Sequence, residues 1–291
     1  MHGLSFIAKL SNNTIVVIDA LSADEYQNGL AVFNELQDLK TMNTPQILRV
    51  CVATKRDLEG VFAQLASECS ASGVRPIIHF EAHGSHGGIE LRRSSTMEFV
   101  PWTELVPLLR RVNQACDYNL GVFMAACDGY TALKGIAIRH AAPYQFLLAP
   151  KTVVSAGLMR KVAISFYREL NVSANITNAF EVAAADEPFT LFLAEQFLAV
   201  TYAAVLKKQN IGKKAKQART EQLISMVPHL TQTPEGLRRT RELAREFTKP
   251  DPERFRAIQD CFLPGGCGFD FKSLVAFVRE ANEASRNRKM G

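Results

Sequence analysis

Five short apolar runs alternate with helix-like stretches in the first half of this chain, and this alternation limits the folds that the chain can adopt. The runs are rich in β-branched and aromatic residues and cover residues 14–19, 46–53, 76–83, 120–127 and 144–149. Between them, apolar residues recur at helical spacing, as at Leu58, Phe62 and Leu65. The alternation predicts an α/β fold with a mostly parallel sheet flanked by helices and right-handed crossovers.

The pattern changes after Pro150, where strand-like runs give way to helical ones. Residues 155–170, 177–185 and 188–206 are all predicted to be helical. The last of these is apolar nearly all round, so we expect a buried helix there.

The C-terminal part of the chain is basic. Lys207 to Arg219 contains six basic residues and no acid, which predicts an exposed, mobile connector. Residues 206–291 carry 18 Lys and Arg against 10 Asp and Glu, although the net charge of the whole chain is only +5. We therefore predict two domains, an α/β domain at residues 1–206 and a basic, α-helical extension at residues 207–291.

The composition is that of a soluble globular protein, with 47% apolar and 22% charged residues. The sequence contains neither a run of about 18 apolar residues nor a signal-peptide pattern, so a cytoplasmic location is expected. The six cysteines lack the short paired spacing of zinc sites, and we expect reduced thiols. Cys51 and Cys69 lie among apolar residues and are expected to pack as small hydrophobes.

Three polar residues fall at the carboxyl ends of predicted strands, where an open parallel sheet collects its reactive groups. They are Asp19, His83 and Cys127. An imidazole beside Cys127 can take the thiol proton and later protonate a leaving amine. The backbone N–H groups of Gly84 and Cys127 can then form an oxyanion hole. Taken singly, a cysteine or histidine at such a position is more often a packed structural residue.

The residues around this pair resemble a known family. A strand ending in His83-Gly84 and a strand ending in Ala126-Cys127 are similar to those of the caspase-like (clan CD) cysteine peptidases, which include caspases, metacaspases, separase and CHAT-domain proteases. The caspase signature is Gln-Ala-Cys-[Arg/Gln/Gly]-Gly with its histidine about 50 residues upstream. Here the stretch is Ala-Ala-Cys-Asp-Gly over residues 125–129, with the histidine 44 residues earlier. Ala125 and Asp128 depart from the signature and favour a bacterial CHAT-like protein over a true caspase.

The resemblance covers about residues 12–170 and implies a cysteine endopeptidase. Cys127 would be the nucleophile, His83 the general acid/base, and Gly84 and Cys127 the oxyanion donors. In such enzymes the loop after the first strand helps to form the pocket for the residue that precedes the cleaved bond. Asp19 or Asp128 would then favour Lys or Arg in that pocket, as in metacaspases. Asp19 can alternatively cap the helix that follows it.

His86 has two readings besides that of a loop residue. It can serve as a second active-site or substrate-binding group, or it can bind zinc together with His83 and Cys127. A fourth ligand is not evident in the sequence, so we predict neither a metal nor a cofactor.

The preferred function is a regulated endopeptidase of narrow specificity that acts on a protein or proenzyme, with a role in bacterial defence or cell death implied by the resemblance. The extension would hold the enzyme inactive or bind a regulatory partner, and its basic stretch would suit self-processing. One alternative is a catalytically silent caspase-like scaffold. Another is an effector that binds nucleic acid through the basic tail, but aromatic residues do not interleave with the cations, so nucleic acid is not the expected partner.

Overall fold

The computed structural model describes residues 4, 6, 11–39, 45–93 and 96–287. The chain divides into two compact units. The sheet unit comprises Ala8–Ala194 with Phe262–Gly265, and the helical unit comprises Glu195–Cys261 and Gly266–Gly291 with Met1–Ile7, each as far as the chain is described. The sequence-based boundary after residue 206 falls further along the chain, and it stays a prediction.

The sheet unit contains one six-stranded sheet of order β2-β1-β3-β7-β8-β9, in which every neighbouring pair is parallel except β8 and β9. Its strands are β1 (Thr14–Asp19), β2 (Gln46–Cys51), β3 (Pro76–Glu81), β7 (Gly121–Ala125), β8 (Phe146–Pro150) and β9 (Phe189–Leu193). A separate antiparallel sheet contains β4 (His83–Ser85), β5 (Gly88–Arg93) and β6 (Thr96–Pro101). The predicted, mostly parallel α/β sheet is therefore confirmed.

Helices cover both faces of the large sheet, because its strands are apolar on both sides. These helices are α1 (Asn28–Asp38), α2 (Lys55–Ser72), α3 (Trp102–Ala115), α4 (Ala156–Ser173) and α5 (Ile176–Ala184). Residues such as Ile77 and Phe123 pack with α1, α4 and α5 on one face. The alternate residues Ile78 and Phe80 are buried on the opposite face, where α2 packs against α3.

The helical unit contains most of the predicted basic extension. Its helices are α6 (Ala194–Val205), α7 (Lys213–Ser225), α8 (Pro234–Phe247), α9 (Pro252–Phe262) and α10 (Phe271–Asn287), with a π-helical turn at Leu206–Asn210. Aromatic rings form part of its core, with Phe255 lying 5.0 Å from Tyr202 and 5.5 Å from Phe271 between ring centroids. Among the described helices, none is both long enough and apolar enough to span a membrane.

Three local predictions are wrong. Residues 188–206 do not form one helix: Phe189–Leu193 is a strand at the sheet edge, because a short apolar run suits a buried strand as well as a buried helix. Lys207 to Arg219 is not a connector, since it lies in the π-helical turn and α7. Cys51 does not pack as a small hydrophobe, since it is exposed at the end of edge strand β2, whereas Cys69 is buried as predicted.

Candidate active site

The carboxyl ends of β3 and β7 lie side by side in the sheet. Glu81 pairs with Ala125 at the end of this parallel ladder, and the Ala82 N–H donates to the Ala125 carbonyl at 3.3 Å. His83 and Cys127 each follow two residues after that last pair. Because neighbouring parallel strands end at the same edge, His83 and Cys127 lie on adjoining segments at that edge of the sheet.

Gly84 brings two backbone segments into direct contact. A Cβ atom added at Gly84 would lie 2.3 Å from the carbonyl oxygen of Cys127 and 3.0 Å from its amide nitrogen. Only a residue without a side chain permits this approach. The two residues that the sequence predicted as oxyanion donors therefore lie against each other.

Cys127 lies at a tight turn between β7 and a short 3₁₀ helix, Gly129–Leu133. Its side chain is partly exposed, and its Sγ lies 3.8 Å from the carbonyl oxygen of Val154. The next residue, Asp128, has left-handed backbone angles of φ 55° and ψ 18°, which are uncommon for a residue other than glycine. Strained backbone of this kind is frequent at functional sites.

His83 is held by a carboxylate that the sequence analysis missed. Its Nε2 lies 2.7 Å from Oε1 of Glu25, and 45% of its side chain is exposed. Glu25 belongs to the loop of residues 20–27 between β1 and α1, and its other oxygen, Oε2, accepts the Ser22 N–H at 2.8 Å. Arg92 on β5 donates to Oε1 of Glu25 at 3.1 Å.

The pKa of Glu25 is lowered from its ordinary value of 4.5. Partial burial acts in the opposite direction, but the Ser22 N–H, His83 and the charge of Arg92 outweigh it. The carboxylate is therefore ionised at neutral pH. The sequence contained one indication of the Glu25 carboxylate. Glu90 and Arg92 lie two residues apart on β5 and so form a charged face, which needs a polar neighbour.

Asp128 and His86 form a second pair next to Cys127 in the chain. Nδ1 of His86 lies 3.0 Å from Oδ2 of Asp128, with the Asp128 side chain nearly buried and the His86 ring exposed. His86 therefore contacts an acid next to Cys127. In the described part of the chain, no group of three or more His, Cys, Asp and Glu side chains is arranged to hold a metal ion.

Asp19 is buried and bound within the protein. Its Oδ2 lies 2.8 Å from Nη2 of Arg49, and its Oδ1 lies 3.3 Å from the amide nitrogen of Leu21. A Cβ added at Gly29 would come within 2.6 Å of its carboxylate. The helix-cap reading of Asp19 is wrong, because Gln27 occupies the N-cap position of α1.

A second histidine with a carboxylate partner lies inside β3. Nε2 of His79 lies 2.9 Å from Oε1 of Glu81, and its Nδ1 lies 3.1 Å from the hydroxyl oxygen of Tyr167. All three side chains are buried. Burial raises the pKa of Tyr167 well above its ordinary value, and the nearby Glu81 acts in the same direction, so the hydroxyl stays protonated.

No family model matches the chain, and none of the curated proteins matches it.

Proposed function

We propose that this protein is a cytoplasmic cysteine endopeptidase in which Cys127 is the nucleophile and His83 the general acid/base. The observation that carries the proposal is that β3 and β7 are neighbours that end together, with His83-Gly84 following one strand and Cys127 following the other. The approach of Gly84 to the Cys127 backbone supports it. The partial exposure of both side chains leaves room for a substrate.

The chemistry follows from these groups. His83 accepts the Cys127 proton, and the thiolate forms a bond to the substrate carbonyl carbon, whose π electrons move to its oxygen. In this proposal the N–H groups of Gly84 and Cys127, which belong to adjoining segments, stabilise that oxyanion. The C–N bond then breaks as the imidazolium protonates the leaving amine. Water hydrolyses the thioester after giving its proton to His83, which releases the acid and the thiol.

The preference for a basic residue before the cleaved bond is also part of the proposal, and Asp128 is the better candidate acid. Asp19 already binds Arg49 and is 3% exposed. Asp128 follows the nucleophile directly, and its partner His86 is exposed and can be replaced by a substrate cation. A peptide panel that varies only the residue before the scissile bond tests this, with Asp128→Asn expected to reduce turnover after Lys and Arg more than after Leu.

Incubation of the purified chain with an unfolded protein substrate tests the proposed function. Mass spectrometry of the products should show cleavage by the wild type and none by Cys127→Ala. Cys261→Ala is the matched control, because it removes another thiol that is exposed and remote in sequence. Equal cleavage by all three proteins would assign the activity to a contaminant. Absence of cleavage by the wild type, together with unreactive Cys127, would favour the scaffold reading.

A further inference from the structure

The carboxylate of Glu25 is fixed before any substrate arrives. Its Oε2 accepts the Ser22 N–H at 2.8 Å, and the Glu25 N–H in turn donates to the Ser22 carbonyl at 3.1 Å. Gln27 also ties this loop together, because its Nε2 donates to the Ser22 carbonyl at 2.9 Å. The acid therefore sits on a loop with its own hydrogen-bond network, although the loop has no regular secondary structure.

The same loop is joined to the strand that carries Arg92. The Arg92 N–H donates to the Ala20 carbonyl at 3.0 Å, and its Nη1 donates to Oε1 of Glu25 at 3.1 Å. Glu90 holds the other side of this guanidinium, with Nη2 at 2.7 Å and Nε at 3.1 Å from Oε2 of Glu90. Arg92 is thereby fixed by two carboxylates and in turn fixes Glu25.

His83 is connected to the same strand from the other side. His83 lies directly opposite Glu90 in the antiparallel pairing of β4 with β5. The imidazole and the carboxylate that contacts it are thus both anchored to β5. Their separation of 2.7 Å between Nε2 and Oε1 is that of a short charge-assisted hydrogen bond.

The charge of Glu25 decides which ring nitrogen carries the proton. An ionised carboxylate can only accept hydrogen bonds, so Nε2 of a neutral His83 must be the protonated nitrogen. Nδ1 then holds the lone pair. A general base needs a lone pair directed at the thiol, and this tautomer supplies one on the nitrogen that Glu25 does not occupy.

We propose that Glu25 is the positioning residue of His83, holding the neutral ring in the tautomer whose Nδ1 accepts the Cys127 proton. The inference rests on the proposed function, since it assigns a role in the same dyad. Arg92 supports Glu25 and offsets part of its charge. The loop after β1, which the sequence analysis linked to substrate binding, thereby also orients the general base.

Nitrogen NMR of the full chain labelled with ¹⁵N-histidine tests the inference directly. The His83 signals are assigned by their loss in His83→Gln, and the neutral wild-type ring should show a protonated Nε2 and an unprotonated Nδ1. Glu25→Ala should populate both tautomers. Glu25→Gln should retain part of the preference, because an amide oxygen still accepts the Nε2 proton.

The rate of Cys127 alkylation by iodoacetamide gives the second readout. We expect it to fall about 10- to 1,000-fold in Glu25→Ala, less than for a buried triad acid because Glu25 is partly exposed. Glu25→Gln should lie between Glu25→Ala and the wild type. Glu104→Gln, which removes a surface carboxylate paired with Lys55, is the matched control and should equal the wild type.

The outcomes separate the inference from the proposed function. A change of tautomer and a slower Cys127 in the order wild type, Glu25→Gln, Glu25→Ala supports the inference. An unchanged tautomer in folded Glu25→Gln and Glu25→Ala overturns it, even if Cys127 still depends on His83. If the alkylation rate of Cys127 is the same with and without His83, the proposed function is overturned. The NMR result still decides whether Glu25 sets the tautomer of His83. If Glu25→Ala does not fold, Glu25→Gln alone decides. A partial or complete loss of the preference for the Nε2-protonated tautomer then supports the inference, and full retention of that preference overturns it.

Discussion

Two histidines four residues apart make the same kind of contact in very different surroundings. His79, inside β3, and His83, just beyond it, each bring Nε2 within 2.9 Å or less of a glutamate Oε1. His79 is fully buried, and its second nitrogen contacts the Tyr167 hydroxyl. His83 is half exposed, and among the described residues only its Nε2 has a hydrogen-bond partner.

The difference shows that a His–Glu pair does not by itself define a catalytic group. Both ring nitrogens of His79 have hydrogen-bond partners, so the ring joins β3 to α4 and stabilises the interior. The second nitrogen of His83 has no hydrogen-bond partner among the described residues, and the next residue, Gly84, lies against the Cys127 backbone. Under the proposed function, solvent access and a second nitrogen without a partner, together with Cys127 on the adjoining segment, separate the reactive His83 from the structural His79.

The largest effect is expected from replacing His83, and the same replacement at His79 should differ from it. His83→Gln is expected to reduce peptide hydrolysis by about 100- to 10,000-fold, because general acid–base catalysis is lost, and it should leave the fold intact. His79→Gln should retain hydrolysis at temperatures where it is folded. Steady-state kinetics on both variants measures this, and a comparable loss from His79→Gln in a folded protein would contradict the assignment.

Of the two His–Glu pairs, the buried pair of His79 and Glu81 should contribute more to the free energy of unfolding. His79→Ala leaves the carboxyl group of Glu81 and the hydroxyl of Tyr167 without their partner, and breaking a buried pair typically lowers the free energy of unfolding by about 3–5 kcal/mol. Urea denaturation monitored by circular dichroism measures the change. His140→Ala, at an exposed site, should alter stability by less than about 0.5 kcal/mol. A similar small change in His79→Ala would show that the interior pair is not structural.

Two glycine substitutions test the backbone contact between Gly84 and Cys127 at the sheet edge. Gly84→Ala should displace β4 from Cys127, because its Cβ would lie 2.3 Å from the Cys127 carbonyl oxygen, and overpacking of this kind costs about 1–3 kcal/mol. Its activity should fall further than its stability explains. Gly60→Ala, in open space on α2, should instead stabilise the protein by up to about 1 kcal/mol. Full activity in Gly84→Ala would mean that this backbone contact is dispensable.

The smallest expected effect is the pH dependence that Glu25 contributes to stability. Folding lowers the pKa of Glu25 below 4.5, so its ionised form stabilises the native state above that pH. This contribution should disappear as the pH falls through the lowered value. Melting temperatures of the wild type and Glu25→Gln, compared from pH 7 to pH 3, should therefore converge. A gap that widens below pH 4.5 would contradict the ionised pair.

Much of the sheet could be predicted from sequence, because buried parallel strands are apolar runs and the helices between them have a strong period. Strand β9 was missed, because Phe189–Leu193 is an apolar run that suits a helix equally well, and only antiparallel pairing with β8 selects the strand.

The candidate site was predicted less completely than the sheet. Strand ends could be located from the sequence, which placed His83, Gly84 and Cys127 at one edge. Glu25 could not be found in this way, because its contact with His83 joins residues 58 positions apart through a loop without periodicity. The pairing of Asp19 with Arg49 depends on the register between β1 and β2, which single-strand patterns do not specify.

Competition between two thiols of the same molecule tests the central claim most directly. Limiting iodoacetamide at neutral pH, followed by peptide mapping, compares partly exposed Cys127 with exposed Cys51, which the sequence had suggested would be packed. Activation by His83 predicts that Cys127 is labelled faster than Cys51 in the wild type and loses this advantage in His83→Ala. Labelling of Cys127 no faster than that of Cys51, unchanged by His83→Ala, would contradict the dyad.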